Sequence, residues 1–426
     1  MRTKVLSLMA CVVLVHTACD FLDDPLICQS LVEEHSAMVQ AGSAMLASLP
    51  EEGDQTAFQL LLNEPAINAF FANVADTDLP TLTESVRVLG QRIAVEAQPS
   101  LPLIALGGFQ RCAQCVGANV PFSVALDLGP LGRVRGQGSM AAELPIGFMG
   151  QEDGRTAFIA KFQSVEVVRL TLDLPNSVAQ TVLDAVEPVL RTLLTSYLQA
   201  RFRDVPLVSF QPWSFGGGIS LAPRGPYVYR DRGVIRFALV SNLPLDTLSG
   251  LTLPTTLPAG ADALLSLHPT VFSAVGRRLT YTGAIPQSYA SSGEPDAAGP
   301  LRFAMRDVQP STTGAMRLNG SLFRTSSFCG AIDLSAALAA EVSPAGVGFS
   351  LGEVATSNPR GSAQLLARAD ELAGGALTRL LASFDLTANY DGLAAGEAGA
   401  ESPLQTFDAR LDAQGLRVAL RLSSGD

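Results

Sequence analysis

The sequence predicts an α+β fold of two similar halves, each a coiled antiparallel meander set against one long amphipathic helix. Three observations carry this. The same order of elements runs from Phe58 to Phe202 and again from Ala263 to Phe384: a short apolar strand, a helix opened by proline, a β meander, a long helix. Within it, Leu60-Leu61-Leu62-Asn63-Glu64-Pro65-Ala66-Ile67 lines up with Leu264-Leu265-Ser266-Leu267-His268-Pro269-Thr270-Val271. The identities are few, but a duplicated unit must bury the same faces twice, so shared order is the stronger signal. The chain also has 426 residues, more than the roughly 250–300 at which single cores stop growing. With 47% hydrophobic and 16% charged residues it has ample material for two cores and is no candidate for disorder.

The first residues read as a targeting signal. Arg2 and Lys4 form a basic region, and Val5 to Val15 form an apolar run of signal-peptide length. That run is too short for a bilayer span, which needs about 20 residues. His16-Thr17-Ala18-Cys19 resembles the lipobox of bacterial lipoproteins, in which Cys19 would be lipidated after removal of residues 1–18. His16 departs from that pattern, where leucine is preferred. The alternative is ordinary secretion after Ala18 with Cys19 as a plain thiol. Either cleavage removes two of the 29 basic residues and none of the 40 acidic ones. Such an acidic surface repels phosphate backbones and excludes nucleic acid as a partner, and it offers no basic patch for anionic headgroups.

Residues 19–54 read as a lipid tether and an N-terminal helix; the helix spans 28–49, and its Leu31, Val32, Met38, Val39, Met45 and Leu46 recur at heptad spacing and should pack on the first half. A strand over Phe58–Leu62 and a helix opened by Pro65 follow. From Val120 the period becomes two. Phe122, Val124, Leu126 and Leu128 share a face, Gly129 to Gly132 turn, and Val134 to Phe148 alternate for some fifteen residues, where about five or six is usual. A strand that long must twist and coil, and Gly136 and Gly138 let it bend. A third strand is expected from Gly154 to Leu174. Asn176 is a good N-cap for a helix to about Phe202, with Val178, Val182, Val186, Leu190, Leu193 and Tyr197 on one stripe. Pro188 should kink it.

Pro223 to Gly233 is the expected boundary, giving a first barrel domain over 55–230 and a second over 231–426. The second half reads as a strand at 234–240, a helix from Pro269 to Gly283, a loop at 286–300, and strands at 301–307, 314–323, 329–335 and 345–354; Ala336–Val342 is ambiguous. Gly361 to Phe384 is its long helix, with Leu365, Ala369, Leu372 and Leu380 on the stripe. Two short strands near 405–411 and 416–422 close the chain.

Little in the sequence is chemical. Only His35 and His268 remain once the leader is removed, too few for a catalytic triad, and no nucleophile elbow, phosphate loop or calcium loop occurs. His268, before Pro269, should cap its helix; His35 should face solvent or flank its stripe. Cys28, Cys112, Cys115 and Cys329 form an even set suited to an oxidising compartment. Structural disulfides are the first reading, in any of three pairings; free thiols, or metal or redox chemistry at the Cys112–Cys115 CxxC, are the others. The sequence thus predicts no enzyme, no metal and no cofactor.

The long helix of Val182–Phe210 running into Pro206-Leu207-Val208, and the strand–helix opening of Ala263–Pro286, resemble the tubular lipid-binding (TULIP) superfamily, which includes bactericidal/permeability-increasing protein and the cholesteryl ester transfer proteins. The resemblance covers most of residues 55–422. It implies two coiled antiparallel β-barrels, each closed by a long amphipathic helix, arranged end to end, with apolar pockets for phospholipid or another acyl-chain lipid. Val178, Val182, Val186, Leu190, Leu193 and Tyr197 would line the first pocket, and Leu365, Ala369, Leu372 and Leu380 the second. With Cys19 lipidated, the protein would be anchored in the bacterial cell envelope. A non-catalytic structural or docking lipoprotein with filled cores is the competing class. The acidic charge and the cysteine pattern depart from the family.

Overall fold

A computed structural model describes residues 25–47, 55–74, 80–88, 91–106, 115–128, 132–150, 156–161, 164–173, 176–201, 205–210, 221–243, 253–282, 286–292, 294–326, 329–343, 346–361 and 404–422. These residues are mostly β-sheet with few helices. In chain order, the helix α1 (Pro25–Ala47) precedes β1 (Gln55–Asn63), α2 (Glu64–Val74) and the first meander: β2 (Leu82–Val88), β3 (Gln91–Pro99), β4 (Leu103–Ala105), β5 (Cys115–Asp127), β6 (Arg133–Gly150), β7 (Thr156–Ala160) and β8 (Ser164–Leu172). Then come α3 (Asn176–Arg201), β9 (Val205–Phe210), β10 (Leu221–Tyr229) and β11 (Val234–Ser241). The remainder is β12 (Ala263–Leu267), α4 (Pro269–Tyr281), β13 (Ser288–Tyr289), β14 (Leu301–Pro310), β15 (Met316–Arg324), β16 (Gly330–Ser343), β17 (Gly346–Gly361), β18 (Leu404–Asp412) and β19 (Gly415–Leu422).

The first sheet is ordered β2-β3-β5-β6-β7-β9, with β4 on β5 and β8 on β6. Its axis is β6, a single strand of 18 residues, about 60 Å if fully extended. On one edge β6 pairs with β5 from Arg133 to Pro145; on the other it holds β8 along Gly136–Glu143 and β7 along Ile146–Gly150. The sheet therefore curls about one strand that belongs to two ladders. Two glycines let it close up. A Cβ on Gly138 would lie 2.2 Å from the Phe122 ring, and one on Gly136 would lie 2.4 Å from the Thr171 carbonyl. The expected third strand is in fact two, because residues 161–163 separate β7 from β8 and each finds a different length of β6.

The second sheet, β13-β14-β15-β16-β17, is a plain meander. The ambiguous stretch 336–342 belongs to β16, paired with β15 and β17. β17 runs through Gly361, where the sequence predicts the second long helix to begin; the rest of that helix lies outside the described residues.

Between them lies a six-stranded sheet, β10-β11-β1-β12-β19-β18. Here the two segments that align in sequence meet: β1 pairs antiparallel with β12, Leu60 opposite Leu265 and Leu61 opposite Leu264. Equivalent residues thus exchange places across the pair, the relation a local two-fold axis produces. The expected boundary segment 223–233 is the hairpin of β10 and β11 within this sheet, turning at Arg230–Arg232 on Gly233 with φ 63°.

Each short helix is tied to a neighbouring strand by side chain-to-backbone bonds. On α2, the Asn68 amide donates to Ile104 O (2.9 Å) and accepts from Ile104 N (2.6 Å), while Glu64 accepts from Leu106 N (3.0 Å). On α4, Ser273 donates to Val308 O (2.9 Å) and accepts from Val308 N (2.7 Å), and the Tyr281 hydroxyl donates to Met305 O (2.9 Å). These bonds occupy strand groups that a sheet neighbour would otherwise have to take up.

The first helix does not pack on the first half. It lies on β14, β15, β16 and α4, and Cys28 is disulfide-bonded to Cys329. The heptad set is only partly the buried face. Leu31 and half-buried Met38 of that set face the sheet together with half-buried His35 and Gly42, while Val32 is exposed. Gly42 decides the rotation, since its missing side chain is where the Tyr281 ring sits.

Candidate functional site

The apolar seam under α3 is the feature that the sequence marks for function. Asn176 opens the helix and Pro188 lies inside it. A proline there withholds the bond to the Asp184 carbonyl; the turn that follows it is held by Thr192, whose hydroxyl donates to Pro188 O at 2.9 Å, and by the Glu187–Arg191 pair at 2.8 Å. The helix lies across β2, β3 and β8. Its inward face carries Val182, Val186, Leu190, Leu194 and Leu198, all buried. The i, i+4 spacing is unbroken, so one straight row meets the sheet.

The structure brings together Val182, Val186 and Leu190 as the sequence predicts. Leu193 and Tyr197 are only partly buried flanks, and the next turns of the row belong to Leu194 and Leu198 instead. Choosing Leu193 over Leu194 moves the stripe one position round the helix, and strict i+4 continuation from Leu190 is the signal that finds the right one. Val178 lies on α3, but its side chain is outside the described residues, as are Leu365, Ala369, Leu372 and Leu380, and the anchor candidate Cys19.

Opposite this row the curled sheet presents Val95, Ala97, Val124, Leu126, Met140 and Leu172, all buried. The apolar contact continues beyond them. Leu60, Leu62, Phe237 and Leu265 of the central sheet, then Phe303, Leu318, Leu334 and Leu338 of the second sheet, belong to one connected core with the α3 row. Helix and sheet meet only through side chains, so parting them breaks no backbone ladder.

The reverse face of the first sheet is different. Alternate residues of β3, β5, β6 and β8 point outward there and line an open polar cleft of about 990 Å³. Among them are Arg133, Arg135, Arg169, Glu96 and Asp173. In β5 and β6 the apolar members of the alternation mark the strands in the sequence, and the outward polar members form a cleft only once β3 and β8 are paired beside them.

The second half holds a half-buried ionic group. Asp333 accepts from Arg306 (2.7 Å), Ser321 (2.9 Å) and Asn358 (3.0 Å), and Arg360 bridges it to Glu34 of α1. Burial alone would raise the Asp333 carboxyl; the Asn358 and Ser321 bonds and the Arg306 and Arg360 charges outweigh it and hold it below the ordinary carboxylate value. His35 lies 5.4 Å from the Phe323 ring, edge to face, so it neither faces solvent nor merely flanks a stripe. Burial first, then Arg302, lowers its pKa. His268 caps α4 through Thr270 N at 3.3 Å, as its place before Pro269 predicts, and burial lowers its pKa too.

Of the four candidate cysteines, Cys28 and Cys329 are bonded to each other, and Cys115 is in a disulfide whose partner lies outside the described residues, as does Cys112. Cys115 is therefore not a free thiol. No group of three or more His, Cys, Asp or Glu among the described residues is placed to hold a metal ion.

No family model matches the chain, and no curated protein does. Three solved structures are similar to it over most of their length. Lipopolysaccharide-binding protein is 11% identical, covering 88% of this chain and 100% of its own, with a TM-score of 0.33. The P47 protein of Clostridium botulinum E1 is 10% identical over 87% of this chain and 100% of its own, at 0.40. P47 from Clostridium botulinum A2 is 9% identical over 86% of this chain and 97% of its own, at 0.41.

Proposed function

We propose that this protein is an envelope lipoprotein, anchored through Cys19, that holds the acyl chains of phospholipid or another lipid between α3 and the curled sheet. The observation that carries the reading is the connected apolar core running from the α3 row through the central sheet into the second sheet. A hydrocarbon chain laid along it needs no polar partner, and each buried methylene contributes about 0.8 kcal/mol. In this reading the two halves are tubes arranged end to end, the second closed by the helix that bears Leu365, Ala369, Leu372 and Leu380, and lipid is bound without being chemically changed.

One observation favours a second reading. Val186, Leu190, Leu194 and Leu198 expose no surface at all, as in a core whose side chains fill it, and a structural or docking lipoprotein would need no more. Native purification of the chain without residues 1–19, followed by organic extraction and mass spectrometry, separates the two. Stoichiometric lipid is expected for a carrier. A lipid-free protein that also takes up no fluorescent phospholipid sinks the proposal. Val186→Trp sharpens the result, because it should block lipid uptake while sparing a fold that can part at the seam, but should unfold a filled core.

A further inference from the structure

We propose that the polar cleft on the reverse face of the first sheet binds an anionic oligosaccharide, its successive oxyanions (phosphate or carboxylate) met by Arg135 and by Arg169 on either side of the Gln137–Thr171 row. The cleft is built by register. Gln98 on β3, Ser123 on β5, Gln137 on β6 and Thr171 on β8 stand opposite one another in one row across four strands. Glu96, Ala125 and Arg135 form the next row, which Asp173 extends by donating its backbone N–H to Arg135 O at 3.0 Å. Ser139 and Arg169 pair on the other side. Because side chains alternate along a strand, these rows all point away from the apolar core that the intervening residues line.

The composition selects the ligand. Of the side chains lining the cleft only Val124 and Ala125 are apolar, and none is aromatic. An acyl chain or flat ring gains nothing there, so the ligand must be polar along its length. Gln98, Gln137, Ser123, Ser139, Thr81 and Thr171 offer donors and acceptors at the spacing of a sheet, which suits a body of many hydroxyls. The charges are distinctive as well. The chain as a whole is acidic, with 40 acidic against 29 basic residues, yet the cleft holds three arginines and two acids. Arg133 is neutralised by its ion pair with Glu96. Among the described residues the guanidinium groups of Arg135 and Arg169 have no hydrogen-bond or ion-pair partner, and that of Arg135 makes none with the neighbouring Asp173 carboxylate. The two guanidinium groups flank the Gln137–Thr171 row, Arg135 on one side and Arg169, opposite Ser139, on the other; each fork matches one oxyanion, so a chain with repeated acidic groups meets both, and Asp173 is left to accept ligand hydroxyls. The volume of about 990 Å³ is near the top of the roughly 300–1,000 Å³ range of small-molecule sites, enough for several sugar units.

The sheet stands between this cleft and the α3 seam, so the site is independent of lipid carriage. The test is calorimetric titration of the full-length chain with tetragalacturonate, inositol hexakisphosphate and neutral maltotetraose, beside flotation with vesicles carrying a phosphorylated glycolipid. An anionic probe should bind saturably, weaken with added salt, and bind at least about tenfold less tightly to an Arg135→Gln/Arg169→Gln variant of unchanged melting temperature. Maltotetraose should bind more weakly than the anions, and Arg324→Gln, on the second sheet, should change nothing. Binding of tetragalacturonate assigns the cleft to a soluble anionic glycan, and binding of inositol hexakisphosphate alone, with neither tetragalacturonate binding nor flotation, overturns the proposal. Flotation alone, lost in the double variant, assigns it to a glycolipid headgroup. Absence of any anionic binding, or binding that the double variant leaves intact, overturns the proposal.

Discussion

Cys28 near the start of α1 is bonded through sulfur to Cys329 just ahead of β16, 301 residues away. The bond lies over a small apolar cluster of its own, in which Leu31 packs with Ala304, Phe323 and Ala331, and Ile27 and Met38 lean against it. It ties the segment that follows Cys19 to the second half of the chain. Cys19 stands nine positions before Cys28, so a lipid on it would lie at most about 30 Å from Cys28. In the proposed lipoprotein, the second sheet is therefore the one held near the membrane.

Loss of that bond should be costly. Cys28→Ser and Cys329→Ser are each expected to lower unfolding stability by about 2–5 kcal/mol, the usual cost of removing a native disulfide. Denaturant melts of both variants measure this, and non-reducing peptide maps should recover the Cys28–Cys329 cross-link from wild type alone. Unchanged midpoints would mean that the ion pairs and apolar cluster hold α1 without it.

The Asp333 group should stabilise the fold at neutral pH and fail in acid. Its carboxyl is held below the ordinary 3.8 in the fold, so the unfolded chain takes up the proton first as pH falls. The contribution is fully present above about pH 3.8 and is lost as pH drops through the lower folded value. Asp333→Asn should accordingly melt below wild type at pH 7, with the gap narrowing under pH 3.8. A gap that is constant with pH would contradict this assignment.

The histidines act with the same sign at higher pH. Burial lowers the His268 pKa below its ordinary 6.5, so the neutral ring is the form that the fold keeps. Below pH 6.5 the unfolded chain binds the proton and stability falls, until the folded value is passed. Asparagine is also a good N-cap, so His268→Asn should retain the cap and lose less stability between pH 7.5 and 5 than wild type. Melting temperatures across that range decide it; parallel curves would remove His268 from the account.

Burial along α3 predicts a contrast between adjacent leucines. Leu194 has no exposed surface, whereas Leu193 is a flank. Leu194→Ala should cost about 2–5 kcal/mol, and Leu193→Ala distinctly less. Equal losses in chemical denaturation would mean that the helix is rotated from the position described.

Local patterns were legible in the sequence. Alternation with period two found β5 and the whole of β6, the apolar stripe and Asn176 found α3, and Pro269 after His268 found the start of α4, because each is set by residues within a few turns or pleats of one another. Strands β2 to β4 carried no comparably long alternation and were not found. The third strand was a different case: the apolar run to Leu174 reads as one strand, and only the two ladders on β6 show that it is two.

What pairs with what was decided by the tertiary structure alone. The sequence determined that Leu60–Leu62 and Leu264–Leu265 are equivalent apolar strands; that they lie side by side, Leu60 opposite Leu265, follows from a ladder whose partners are some 200 residues apart. It determined that 28–49 is a helix, but its seat on the second half needed Gly42 against Tyr281, Glu34 against Arg360 and Cys28 against Cys329. Alternation alone places Arg135 on the outward face of β6; that Arg169 of β8 stands on the same face of one cleft came from the register of β6 against β8. Periodicity reports which face of an element is buried. The partner on that face is fixed by long-range contacts and chain closure, which no local pattern encodes.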